Sequence, residues 1–79
     1  MHKFISKKEI EKLKLKFPIG KRIMLDYMDD PYANNMPAGL EGTILAIDDA
    51  GTIHVNWDNG SNLGVIYKVD KFHLMWKTI

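Results

Sequence analysis

GTILAIDDAGTIHVNWDNGSNLGV, residues Gly42 to Val65, decides the fold. Three short β-patterned runs are joined here by two tight-turn signals, Asp48-Asp49-Ala50-Gly51 and Asp58-Asn59-Gly60. The second is the stronger. A two-residue type I′ turn needs φ > 0 at both central positions, and Asn followed by Gly meets that at least steric cost. The stretch therefore predicts a meander of short antiparallel strands in a small all-β barrel.

Working outward, Ile53, Val55 and Trp57 share one parity and His54 and Asn56 the other, so the strand over 52–57 is half-buried with Trp57 in the core. Strands are expected at 43–47, 52–57 and 61–66. Upstream, Ile23, Leu25 and Tyr27 alternate with Arg22, Met24 and Asp26, which gives a half-buried first strand, and Tyr27, Tyr32 and Tyr67 are the aromatics expected to be partly exposed. Downstream, Val69 to Phe72 suits a turn, and His73–Lys77 a fifth strand with Leu74 and Trp76 inward. The longest connection is Met28–Ala38, MDDPYANNMPA. At the N-terminus, Ser6-Lys-Lys-Glu9 is a capping box. A short helix should follow to about Lys16, stopped by Pro18 and Gly20, with Ile10, Leu13 and Phe17 as an apolar stripe and Leu15 outside it. So short a helix is marginal alone and must dock to persist.

The chain has 79 residues, enough for one domain with a modest core. It divides into an N-terminal basic helical arm, 1–17, and a barrel, 18–79. Without cysteine, disulfides and Cys-based zinc sites are excluded, which fits a reducing compartment. No apolar run approaches the ~20 residues of a membrane span. The N-terminus shows no signal-peptide pattern. A cytoplasmic protein without membrane contact is the expectation.

The net charge of +1 conceals an asymmetry. Residues 1–22 hold eight Lys or Arg against two Glu, while residues 23–79 hold three Lys against eight acids. A basic arm is joined to an acidic body, and the plain consequence is that the arm packs on the barrel. A polyanion is the alternative partner for the arm.

The blocks Asp29-Asp-Pro-Tyr32, Gly42-Thr-Ile and Trp57-Asp-Asn-Gly-Ser61 carry a family likeness. From Phe17 to the C-terminus the chain resembles a family of small uncharacterised bacterial domains often met in phages and other mobile elements. Gly42–Val55 also looks like the KOW motif of ribosomal and transcription-factor barrels. Trp57–Ser61 is similar to the mind-bomb type of Src-homology-3-like domain. These resemblances imply a mainly β protein, a five-stranded SH3-like barrel preceded by a short amphipathic helix. They imply a phage or mobile-element accessory protein and bring no catalytic activity, since fold analogy alone supplies none.

An enzyme is not expected. A nucleophile needs a base in reach and a third group to orient that base. The serines are Ser6 and Ser61, each with a role in a cap or turn, and the histidines at 2, 54 and 73 are scattered. Asp29-Asp30 and Asp48-Asp49 read as turn formers. Their spacing does not match a calcium loop, so neither metal nor cofactor is expected, and no small-molecule substrate is evident. Binding of a protein partner is the expected function. The 28–38 loop offers Asp29, Asp30, Tyr32 and Asn34 where Src-homology-3-like barrels carry their recognition loop, and acids beside aromatics suit Pro-rich or basic peptides. Targets of this kind include host nucleic-acid machinery or a defence nuclease with a basic groove. The alternative is a KOW-like nucleic-acid-binding domain using Lys12, Lys14, Lys16 and Arg22, whose affinity would fall steeply with salt.

Overall fold

The computed structural model describes residues 5–28 and 36–75. Helix α1 spans Lys7–Lys16. Its capping box is formed: the Glu9 amide donates to Ser6 Oγ at 3.1 Å and the Ser6 amide to Glu9 Oε1 at 3.2 Å. Phe17 caps the C-terminus, its amide donating to the Leu13 carbonyl at 2.7 Å.

The strands are β1 Arg22–Tyr27, β2 Glu41–Ile47, β3 Thr52–Trp57, β4 Val65–Ile66 and β5 Lys71–Leu74. They form one open, wholly antiparallel sheet in the order β4-β3-β2-β1-β5. One face carries Ile23, Leu25, Ile44, Ile53, Val55 and Trp57, all but sealed from solvent, as the alternation along the chain requires. Leu13 and Phe17 belong to the same core, so the helix and the sheet share one apolar interior. Leu15, off the helical stripe, is exposed.

β4 and β5 are the two edges of the sheet, and aromatic rings span the distance between them. Phe17 meets Tyr67, just after β4, edge-on at 5.7 Å and Phe72, on β5, at 5.2 Å. These tilted contacts suit the quadrupoles of the rings.

Several sequence expectations are corrected. Asn59-Gly60 does not form a type I′ turn. Gly60 alone is left-handed, at φ +90°, with its amide donating to the Trp57 carbonyl at 3.0 Å. The 48–51 turn repeats this design with Gly51 at φ +85° and its amide on the Asp48 carbonyl. Both hairpins use three-residue loops, in which one glycine absorbs the left-handed position. β2 begins at Glu41 rather than Thr43, because Gly42 sits opposite both Ile23 and Trp57. A Cβ at Gly42 would lie 2.6 Å from Val55 Cγ1, so a bare backbone is needed there. β4 is two residues long instead of six. The buried Trp57 indole donates to the Leu63 carbonyl at 2.8 Å, which holds 62–64 out of the ladder, while the Ser61 carbonyl still accepts from the Trp57 amide at 3.0 Å. β5 starts at Lys71, two residues early, because the turn falls at 67–70. Tyr27, of one parity with Ile23 and Leu25 but expected to be partly exposed, is 59% exposed, and the β1–β5 register slips between Leu25 and Tyr27.

Candidate functional site

Along α1, Lys12 and Lys16 are one turn apart and project from the same side. Across from them lies the connection between β4 and β5. The Ile66 carbonyl accepts from the amides of Val69 (3.1 Å) and Asp70 (2.9 Å), and the Ile66 amide donates to Asp70 Oδ2 at 2.9 Å. This tight closure forces Lys68 into the left-handed region at φ +74°. A side chain with a Cβ pays roughly 1–2 kcal/mol for that conformation. The turn thereby presents a lysine where glycine would sit without strain.

Between helix and turn lies a cleft of about 770 Å³. Lys12, Lys16, Lys68, Tyr67 and Glu9 line its polar part, and Ile5, Leu13, Ala50, Gly51 and Ile66 its apolar part. Lys16 Nζ donates to the Tyr67 hydroxyl at 2.6 Å, and this bond, with the ammonium's charge, holds the Tyr67 phenol below its usual range. Lys68 Nζ lies 5.9 Å from the centre of the same ring. Glu9, the acid of the cleft, is hydrogen-bonded to Ser6, and those bonds first, then the charges of Lys68 and Lys12, keep its carboxyl below the usual value.

The acids of the sheet are committed elsewhere. Asp58 and Glu41 both grip Arg22: Asp58 Oδ1 accepts from Nη1 at 2.9 Å, Asp58 Oδ2 and Glu41 Oε1 from Nη2, and Thr43 Oγ1 from Nη1 at 3.0 Å. The guanidinium is held still more firmly protonated, and Asp58 is lowered by it. Asp48 Oδ2 lies 2.8 Å from His54 Nε2, while Oδ1 accepts from the amides of Ala50 and Thr52. The His54 contact is the largest of the effects lowering the Asp48 carboxyl. Asp26 faces His73 at 2.8 Å. Among the described residues the close contacts of carboxylates with basic side chains use Arg22, His54 and His73, and the two histidine contacts are ion pairs only when the imidazole is protonated. Two acids of the sheet thus share one cation, Arg22, and two more contact histidines, while the lysines that line the cleft are solvent-exposed. No three His, Cys, Asp or Glu side chains among the described residues converge as metal ligands would. No helix there is long and apolar enough to cross a membrane.

Of the residues singled out from sequence, the structure brings Lys12 and Lys16 together. Lys14 does not line the cleft, and Arg22 is gripped by its own carboxylates on the sheet. Asp29, Asp30, Tyr32 and Asn34, like Trp76, lie outside the described residues. Tyr67 was expected to be partly exposed, and is, but was not assigned to the site; Lys68 was not anticipated, and no sequence signal marks it as left-handed.

Residues 6–75 match the family model described as "Domain of unknown function (DUF4314)". The chain belongs to this family. The family match begins at the helix cap, so α1 is part of the family pattern together with the sheet. No curated protein and no solved structure matches the chain.

Proposed function

We propose that this domain is a small non-enzymatic binding module that takes the phosphate backbone of a nucleic acid in the cleft between α1 and the β4–β5 turn. The observation that carries the reading is the placement of Lys12, Lys16 and Lys68 around one cleft, while Glu41 and Asp58 are drawn to Arg22 on the sheet. Locally the cleft sets three cations against one carboxylate, which favours a polyanion there although the body is acidic. The strand order β4-β3-β2-β1-β5, with β5 returning beside β1, supports an SH3-like barrel as the finer description of the fold. The KOW-like pattern of Gly42–Val55 agrees with the nucleic-acid reading, and the motif likeness to phage and mobile-element domains suggests an accessory protein of such an element.

Anisotropy titrations of labelled single- and double-stranded DNA and RNA against salt test it. With three lysines engaged, log K should fall against log salt with a slope of roughly −2 on a single strand. Lys12→Glu and Lys68→Glu should each abolish binding, and Arg22→Lys should leave it unchanged. Equal losses from Lys14→Glu and Lys12→Glu would reduce the effect to overall charge and sink the cleft.

A second reading is favoured by Tyr27, which the register slip turns outward beside Asp26 at the root of the 28–38 connection. An exposed aromatic next to an acid suits a basic or Pro-rich protein segment, and Asp29, Asp30, Tyr32 and Asn34 follow it in the sequence. Retention of one specific host protein, lost on Tyr27→Ala and kept on Lys12→Glu, would establish this reading in place of the first.

A further inference from the structure

The cleft is not a uniformly charged surface. Its rims are cationic, Lys12 and Lys16 on the helix and Lys68 on the turn, but Ile5, Leu13, Ala50, Gly51 and Ile66 lie between them. Ile66 is 47% exposed, an apolar side chain left in water at the edge strand. Gly51 keeps this floor low. Its backbone is left-handed, and a Cβ there would come within 2.9 Å of Ile5 Cδ1. A polyanion that needed only phosphate contacts would gain nothing from such a floor.

We propose that the cleft receives one unstacked nucleotide of a single strand, its base on the apolar floor and its flanking phosphates on Lys12 and Lys68. This rests on the nucleic-acid reading above and adds to it the kind of strand. The volume of about 770 Å³ falls in the usual range for small-ligand pockets. In a duplex the bases are paired and stacked, and only phosphates reach a concave surface. A single strand can turn a base outward onto an apolar or aromatic platform, which discriminates it from duplex without reading sequence. Tyr67 fits the same role. Its oxygen accepts from Lys16, so its own O–H remains to donate to a phosphate or a base edge, and Phe17 fixes its ring from behind.

The experiment compares three ligands of equal length on the full chain at one low salt concentration: an oligothymidylate, an abasic deoxyribose-phosphate strand and a duplex. The abasic strand keeps the phosphates and lacks the bases. Burial of one base predicts that the oligothymidylate binds about tenfold or more tightly than the abasic strand. Ile66→Asn, an uncharged change at an exposed edge position, should erase that preference and leave the salt slope unaltered. Circular dichroism would confirm that this variant keeps its fold. Equal affinity for base-bearing and abasic strands would overturn the proposal and leave the phosphate reading intact. Absence of binding to all three would overturn both.

Discussion

Lys16 Nζ and the Tyr67 hydroxyl are 2.6 Å apart across 51 residues of sequence, joining the last turn of α1 to the residue that follows β4. The same ammonium stands 4.7 Å from the Tyr67 ring centre. This contact, beside the packing of Phe17 on the same ring, ties the two walls of the cleft together. An ammonium beside a phenol favours the phenolate, so the Tyr67 phenol titrates below its usual range. In a background of Tyr27→Phe and Tyr32→Phe, phenolate absorbance reports Tyr67 alone. Lys16→Met should move that titration to higher pH. Coincident curves with and without Lys16 would mean that the bond does not persist in solution.

Phe17 is 4% exposed and is the ring that touches both sheet edges, through Tyr67 and Phe72. Truncating a buried Phe to Ala costs about 3–5 kcal/mol. A domain of this size has roughly 4–12 kcal/mol in all. Phe17→Ala should therefore leave the protein close to unfolding at room temperature, with a urea midpoint shifted steeply downward. Exposed Leu15→Ala, one turn position away from the stripe, should shift it hardly at all.

Asp48 closes the β2–β3 hairpin with two backbone amides and His54. Its folded pKa is depressed below the ordinary value of 3.8. A depressed carboxyl contributes stability that is present above the unfolded value and is lost as pH falls through the folded one. The loss therefore lies below about pH 4. The side chain is 43% exposed, so solvent screening holds the effect to about 1 kcal/mol or less. Thermal melts across that window should show a shallower acid dependence for Asp48→Asn than for the unmodified protein. Identical profiles would show that the carboxylate is not ionically engaged.

Lys68 combines backbone strain with a charge on the cleft. Glycine removes the left-handed cost but loses more entropy on folding, so Lys68→Gly should stabilise the domain by about 0.5–1 kcal/mol net. It should weaken nucleic-acid binding at the same time. Opposite signs for stability and affinity are the mark of strain retained for function. A variant both less stable and unchanged in binding would assign Lys68 a structural role.

The amino-acid sequence by itself determined the elements and their faces. Ser6 and Glu9 set the helix start through a bond three residues long. The parity of Ile53, Val55 and Trp57 set which face is buried, and Gly51 and Gly60 set where the meander turns. These are short-range facts, fixed by hydrogen-bond reach, side-chain period and backbone sterics. Tertiary structure decided what depends on partners distant in the chain. The length of β4 follows from the need of the buried Trp57 N–H for an acceptor, met by Leu63. The outward turn of Tyr27 follows from the register against β5. Arg22, read from sequence as a nucleic-acid contact, is gripped by Glu41 and Asp58 because β1, β2 and the end of β3 lie side by side. The cleft joins residues near the helix to residues some fifty positions later, which no local pattern can encode, because packing alone brings Lys12 and Lys68 to one place.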